Sequence, residues 1–408
     1  MIHTCGLRPN SRFGCGRRAI FPKLSGGRRN AMSTAGSADL RSSASGPGWL
    51  VGPCFDSACI AWAWVPFYLF VVFVLGLDGS WSIGGRDGNG TEPGLGLAML
   101  LALGVSYVHR HYTFLLVYGD RETFRQRLRA YTVVPALLFV ALALILRVQG
   151  ELRLELFGLK LRPWMLVLIV TGTWNMWHTI MQRHGIARIY AAKARGGLET
   201  RAHGRRDLRL LWSAVALTAV LTTMFRPSTF AGIGNARKLL ETVDPLIHGW
   251  LGWAVLALVA SVTLNLGLSW LGHERAATLE LRERIPRINF LSSTAALLAV
   301  FVAHGPIVGY LCFGVAHAVE YVFFFHVFGR RKFAARADAQ RGVAARMLAR
   351  PLVWGPIIAL ALSGLFFALV DHRSSEPYLV YYTATSLLHF LYDGWIWKVR
   401  KPDVAKHL

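Results

Sequence analysis

Two stretches constrain this chain more than any others. Residues 57–76 (SACIAWAWVPFYLFVVFVLG) and 249–270 (GWLGWAVLALVASVTLNLGLSW) run for twenty residues or more without acid, lysine or arginine. About 20 residues of helix, rising about 1.5 Å each, cross the roughly 30 Å hydrocarbon core of a bilayer. A helix also satisfies all of its backbone groups within one segment, which lipid demands. Similar apolar blocks recur near 94–118, 131–146, 163–182, 210–225, 290–305, 306–328, 351–370 and 377–397. With 54% hydrophobic and only 16% charged residues, the chain lacks the surface charge of a soluble domain. The reading is an all-α, polytopic helical membrane protein of about ten transmembrane helices.

Charge gives the expected orientation. With a cytoplasmic N-terminus, the inner segments are 1–48, 119–130, 183–209, 271–289, 329–350 and 398–408, and they hold 35 of the 45 lysines and arginines. The positive-inside rule then predicts both termini in the cytoplasm and a multi-pass protein of the cell inner membrane. The same distribution explains the net charge of +23 without nucleic acid, because the basic residues sit in inter-helix loops where anionic lipid headgroups meet them. Three regions follow: a basic N-terminal segment over 1–48, expected to be disordered because it is rich in Arg, Gly and Ser; the transmembrane domain over 49–397; and a basic cytoplasmic tail over 398–408. Gly305-Pro306 predicts a tight turn between the seventh and eighth spans. Cys5, Cys15, Cys54, Cys59 and Cys312 show no pairing pattern.

Ionisable side chains inside a bilayer cost several kcal/mol unless they are paired, so each needs a reason. Here they gather in four spans: His109, Arg110 and His111 in the second, His178 and His184 toward the end of the fourth, His317 and Glu320 in the eighth, His389 and Asp393 in the tenth. In the topology above these four spans run in the same direction, and the helical rise places their polar groups in the same, cytoplasmic leaflet. His317 and Glu320 are i,i+3 and His389 and Asp393 are i,i+4, so each pair shares a helix face. A histidine beside a carboxylate suits metal ligation by both, or a carboxylate that orients the imidazole. His109 and His111 point to opposite sides of a regular helix, so one of them faces the cluster. Arg110 can pair with Glu320 or neutralise the acidic head of a substrate. Arg188 and Lys193 form a basic mouth below. Imidazoles with carboxylates and no thiolate suit iron, with zinc as the alternative.

This pattern resembles the histidine-rich integral-membrane hydroxylases and desaturases. The resemblance implies two iron ions near the cytoplasmic face, held among His109, His111, His178, His184, His317 and His389, with Glu320 and Asp393 as further ligands. It also implies dioxygen-dependent hydroxylation or desaturation of a lipid or another apolar substrate, with catalytic work for Glu320, Asp393 and Arg110. Without a flavin, nicotinamide or iron–sulfur motif in the chain, electrons would come from a separate electron-transfer partner. Two other classes stay open at this point. The buried His, Asp and Glu could form the relay of a proton-coupled transporter, or facing imidazoles could ligate haem in an electron carrier.

Overall fold

A computed structural model describes residues 48–77, 93–148, 150, 154–156, 159–194, 201–226, 243–276, 279–334, 342–397 and 407. All but the last residue of the N-terminal segment 1–48, and all but His407 of the tail, lie outside the described residues. The architecture is helical. The bent pair α1 (Pro53–Ala61) and α2 (Val65–Val74) comes first. It is followed by α3 (Pro93–Gly119), α4 (Arg121–Gln126), α5 (Leu128–Val148), α6 (Pro163–Ala194) and α7 (Arg201–Phe225). The chain continues with α8 (Trp250–Ala276), α9 (Leu281–Ala334), α10 (Val343–Ala349), α11 (Pro351–Val370) and α12 (Glu376–Ile396). A short antiparallel hairpin, β1 (Leu154–Leu156) with β2 (Leu159–Leu161), joins α5 to α6.

Among the described residues, α5, α7, α8, α9 and α11 are long and apolar enough to cross a membrane, and the α1–α2 pair adds a sixth if it counts as one span. Helices α3, α6 and α12 are 27, 32 and 21 residues long, but they carry the buried histidines and arginines, which dilute their hydropathy. Helix α9 is 54 residues long. As a single rod it would reach about 80 Å, far beyond a bilayer. Gly305 breaks it at φ +85°, a conformation that side-chain-bearing residues rarely adopt, and Pro306 follows with no amide proton to continue the ladder. The two halves fold back on each other so closely that a Cβ at Gly309 would collide with the Phe301 ring. The expected turn stands where the Gly-Pro pair predicts it.

Polar contacts gather at two rims. At one, Lys332 Nζ meets Asp120 Oδ2 at 2.7 Å and Arg287 bridges Asp207 at 2.7 Å and Glu274 at 2.5 Å, joining the ends of α3, α7, α8 and both halves of α9. At the other, Tyr68 pairs with His304 at 3.0 Å, His248 Nε2 with the Met224 carbonyl at 2.9 Å, and Arg226 with the Ala303 carbonyl at 2.5 Å. The bent pair joins the two. Trp62 Nε1 donates to Asn289 at 2.7 Å, Trp64 Nε1 to Ser293 at 3.0 Å, and Tyr68 reaches His304. The step from residue 289 to 304 is about 22 Å of helix. The 47° bend sits just before Pro66.

Between the rims, α3, α6, the second half of α9 and α12 form the inner group. Their contacts advance together: Tyr107 to Tyr381, Arg110 to Thr385 and Thr113 to Asp393 along α3 and α12. Asn175 meets Tyr310 and Gln182 meets the His317 carbonyl along α6 and α9. Residue numbers rise in step on both partners, so these helices run parallel. Three boundaries differ most from expectation: α7 begins at Arg201 and α9 at Leu281, each nine residues before the expected span. Helix α6 continues to Ala194, twelve residues past the expected span, and Arg183, assigned to an inner loop by sequence, is 1% exposed within it.

Candidate metal centre

The parallel arrangement brings four imidazoles and one carboxylate to a single point. Helix α3 supplies His109, α6 His178, the second half of α9 His317, and α12 both His389 and Asp393; all five are under 9% exposed. His109 Nε2 and His389 Nε2 are 3.1 Å apart. Asp393 Oδ2 lies 3.5 Å from His178 Nε2 and 3.6 Å from His389 Nε2. His317 completes the ring, with its centroid 4.8 Å from that of His109 and 5.0 Å from that of His178. Two triads, His109–His317–His389 and His178–His389–Asp393, each hold their donor atoms within 4.8 Å of one another.

The donor atoms fit an ion. Both ring nitrogens of His317, Nε2 of His178 and Oδ2 of Asp393 are buried without a hydrogen-bond partner. Orphaned polar atoms of this kind cost about 1–3 kcal/mol each. Donors bound at about 2.1 Å to one ion stand about 3.0–3.4 Å apart in octahedral or tetrahedral geometry, close to the 3.1, 3.5 and 3.6 Å spacings here.

Side chains one turn along the same helix faces orient these donors. Thr113 is i+4 from His109 and Tyr321 is i+4 from His317. The Nδ1–H of His389 donates to Thr113 Oγ1 at 2.8 Å, which turns the Nε2 lone pair toward the cluster. The hydroxyls of Thr113 and Tyr321 donate to Asp393 Oδ1 at 3.0 and 2.9 Å, leaving Oδ2 for the centre. Trp397 Nε1 in turn donates to the Tyr321 oxygen at 3.3 Å. Thr113 and Tyr321 are absent from the sequence-derived set, although their i+4 spacing from two of the histidines was there to be read.

Four expected site residues lie elsewhere. His111 donates from Nδ1 to the Tyr107 carbonyl at 2.6 Å and accepts from the Tyr381 hydroxyl at 2.8 Å. It stands about 200° around α3 from His109, and both of its nitrogens are occupied. His184 faces the start of α7, with Nε2 3.1 Å from the Gly204 carbonyl. Glu320 shares a helix with His317 but turns to Arg183, not Arg110, in a fully buried ion pair, and Arg183 also donates to Thr294 at 3.0 Å and Ser293 at 3.2 Å. The expected Arg110–Glu320 pair is therefore replaced by Arg183–Glu320. Arg110 itself packs against α12. Of the expected basic mouth, Arg188 lies 4.0 Å from Asp207.

On one side the cluster opens into an apolar cleft of about 800 Å³, counted to its open mouth. His178, Tyr321 and Asp393 stand at its polar end, and Met181, Phe324 and Phe390 are among its apolar walls. Trp177, 49% exposed, and Trp397 also border it. Trp174 instead packs on Phe390, and Trp395 on Tyr131 and Tyr392. Comparison with protein-family models, with curated proteins and with solved structures finds no match, so the reading of this site rests on its own geometry.

Proposed function

We propose that this protein is a membrane-embedded metalloenzyme acting on an apolar substrate that enters through the cleft beside His178 and Asp393. The observation that carries it is the convergence of His109, His178, His317, His389 and Asp393 from four separate helices, with donor atoms left unpartnered in a buried site.

The geometry favours one ion over the two that the hydroxylase and desaturase resemblance implies. An imidazole nitrogen has one lone pair and can hold one ion. Both triads need Nε2 of His389, because its Nδ1 is engaged by Thr113. The two triads therefore merge into one centre of up to five donors. Glu320 is paired with Arg183 through Oε1 and belongs to neither triad. A mixed nitrogen and oxygen shell suits iron, with zinc the alternative.

Bound iron would supply the activation of dioxygen, and electrons would come from a separate donor protein. The chain's own residues do the rest. Thr113 and Tyr321 fix the donor atoms of His389 and Asp393. Met181, Phe324 and Phe390 exclude water and hold an apolar group against the polar end of the cleft. The products would be hydroxylated or desaturated lipids or similar molecules.

The two rims support ten crossings, counting the bent pair as one, α9 as two, and α3, α6 and α12 as spans. The rim holding Lys332 and Arg287 is then the cytoplasmic one, and the setting a cell inner membrane. Metal analysis of the full chain, purified anaerobically in detergent, tests the proposal. About one iron per chain is the expected result, and loss of that iron on replacing His317 should follow. Protein free of any transition metal after exposure to iron and zinc would overturn it.

A further inference from the structure

Arg110 is among the largest fully buried side chains, yet it carries no metal donor and stands apart from the ion pairs already described. Its guanidinium is held on one edge only. Nη1 donates to the Tyr382 carbonyl at 3.0 Å and to Ser386 Oγ at 2.6 Å, with Thr385 Oγ1 at 3.4 Å. The flat face lies over the Tyr382 ring, 3.8 Å from its centroid, with Tyr107 at 5.4 Å. Nε and Nη2 are buried and have no hydrogen-bond partner, and among the described residues no carboxylate pairs with the group. These two nitrogens lie on the same side of the guanidinium. Their N–H groups form the planar fork that matches the two oxygens of a carboxylate.

The surroundings make that fork more than a packing accident. A cation inside the bilayer without a counter-ion is costly, and natural chains pair or solvate it. The carboxylate of Asp393 does not serve, because Oδ1 is taken by Thr113 and Tyr321 and Oδ2 faces the imidazoles. Glu320 is held by Arg183. A dication in the centre would add positive charge beside Arg110 and deepen the imbalance. Ser386 and Tyr382 stand one and two turns before His389 on α12, so the fork lies about 5–10 Å from that ligand along the helix. Both are only half-buried, although the fork itself is enclosed.

We propose that the Nε/Nη2 edge of Arg110 is an anion-docking site that takes a carboxylate beside the metal centre. Tyr382 forms its floor, and Ser386 with the Tyr382 carbonyl fixes the guanidinium. The carboxylate belongs either to the substrate's own head or to a small free oxyanion. The inference goes beyond the metal reading, because Arg110 binds the anion whether or not an ion is present.

The experiment uses the full chain in detergent, with sodium formate and sodium dodecanoate titrated by calorimetry into metal-free protein. Absorbance of cobalt-loaded protein is followed in parallel. Saturable formate binding is expected, with a change in the cobalt spectrum. Arg110→Gln should weaken binding about 10- to 100-fold, and Arg110→Lys, which keeps the charge but loses the fork, about tenfold. Preference for formate identifies a free oxyanion, and preference for dodecanoate a substrate head. Absence of saturable binding of either anion to the wild type, or equal affinity in the wild type and both variants, overturns the proposal. Failure of cobalt to bind would refute the metal centre instead, leaving the metal-free titration to decide this one. Retained cobalt binding in a variant shows that its cluster still assembles.

Discussion

Replacing Thr113 with valine isolates the orienting contacts from the ligands themselves. The change keeps the shape of a fully buried side chain and removes one hydroxyl. That hydroxyl accepts from His389 Nδ1 at 2.8 Å and donates to Asp393 Oδ1 at 3.0 Å. Asp393 keeps the Tyr321 hydroxyl at 2.9 Å, but His389 has no other partner on Nδ1. Loss of an outer contact of this kind weakens metal binding about 10- to 100-fold, or about 1.4–2.7 kcal/mol. Leaving Nδ1 unsatisfied costs about 1–3 kcal/mol in metal-free protein too, so the thermal midpoint should also fall. Tyr321→Phe spares His389 and should weaken binding by about tenfold or less. Competition between the protein and a chelator of known affinity gives the metal constants, with thermal unfolding in the same detergent as the second readout. A Thr113→Val protein that unfolds earlier yet binds metal as tightly as the wild type would refute the orienting role.

Three further outcomes can be checked alongside. Replacing His109 with phenylalanine should abolish stoichiometric metal binding, whereas His111→Phe should leave it intact; metal content after gel filtration separates the two. Breaking the Arg183–Glu320 pair by Arg183→Met strands a buried carboxylate and should cost about 3–5 kcal/mol, while the double change Arg183→Met with Glu320→Leu should recover much of the loss in a thermal melt. Gly305→Ala forces a side chain into the left-handed region and should destabilise the chain by about 1–2 kcal/mol, again read as a lower midpoint.

Much of this architecture was legible because lipid enforces simple rules. Unbroken apolar runs located the middle of each helix, with ends missed by up to twelve residues where charged residues extend it, and Gly305-Pro306 located the turn. Parallel polarity of four spans placed His109, His178, His317 and His389 near one another before any coordinates. Partner choice was less legible. Glu320 lies three residues from His317, yet its direction is set by Arg183 on α6, which the basic run RHGIAR disguised as part of a surface loop. His184 suffered the converse error: it follows His178 in the same span, but six residues on along a regular helix it faces α7. Thr113 and Tyr321 carry no charge, so a search for buried titratable groups passed over them.

The contact between His109 and His389 closes a separation of 280 residues. No early fragment of the chain contains the whole donor set, because α12 is the last described helix and carries two of the five donors. On the proposed membrane reading, the helices made first would therefore hold their imidazoles without partners until the C-terminal helix arrives. On the metal reading proposed above, capture of the ion would be a late event in biogenesis, and a chain truncated before residue 376 would lack both His389 and Asp393.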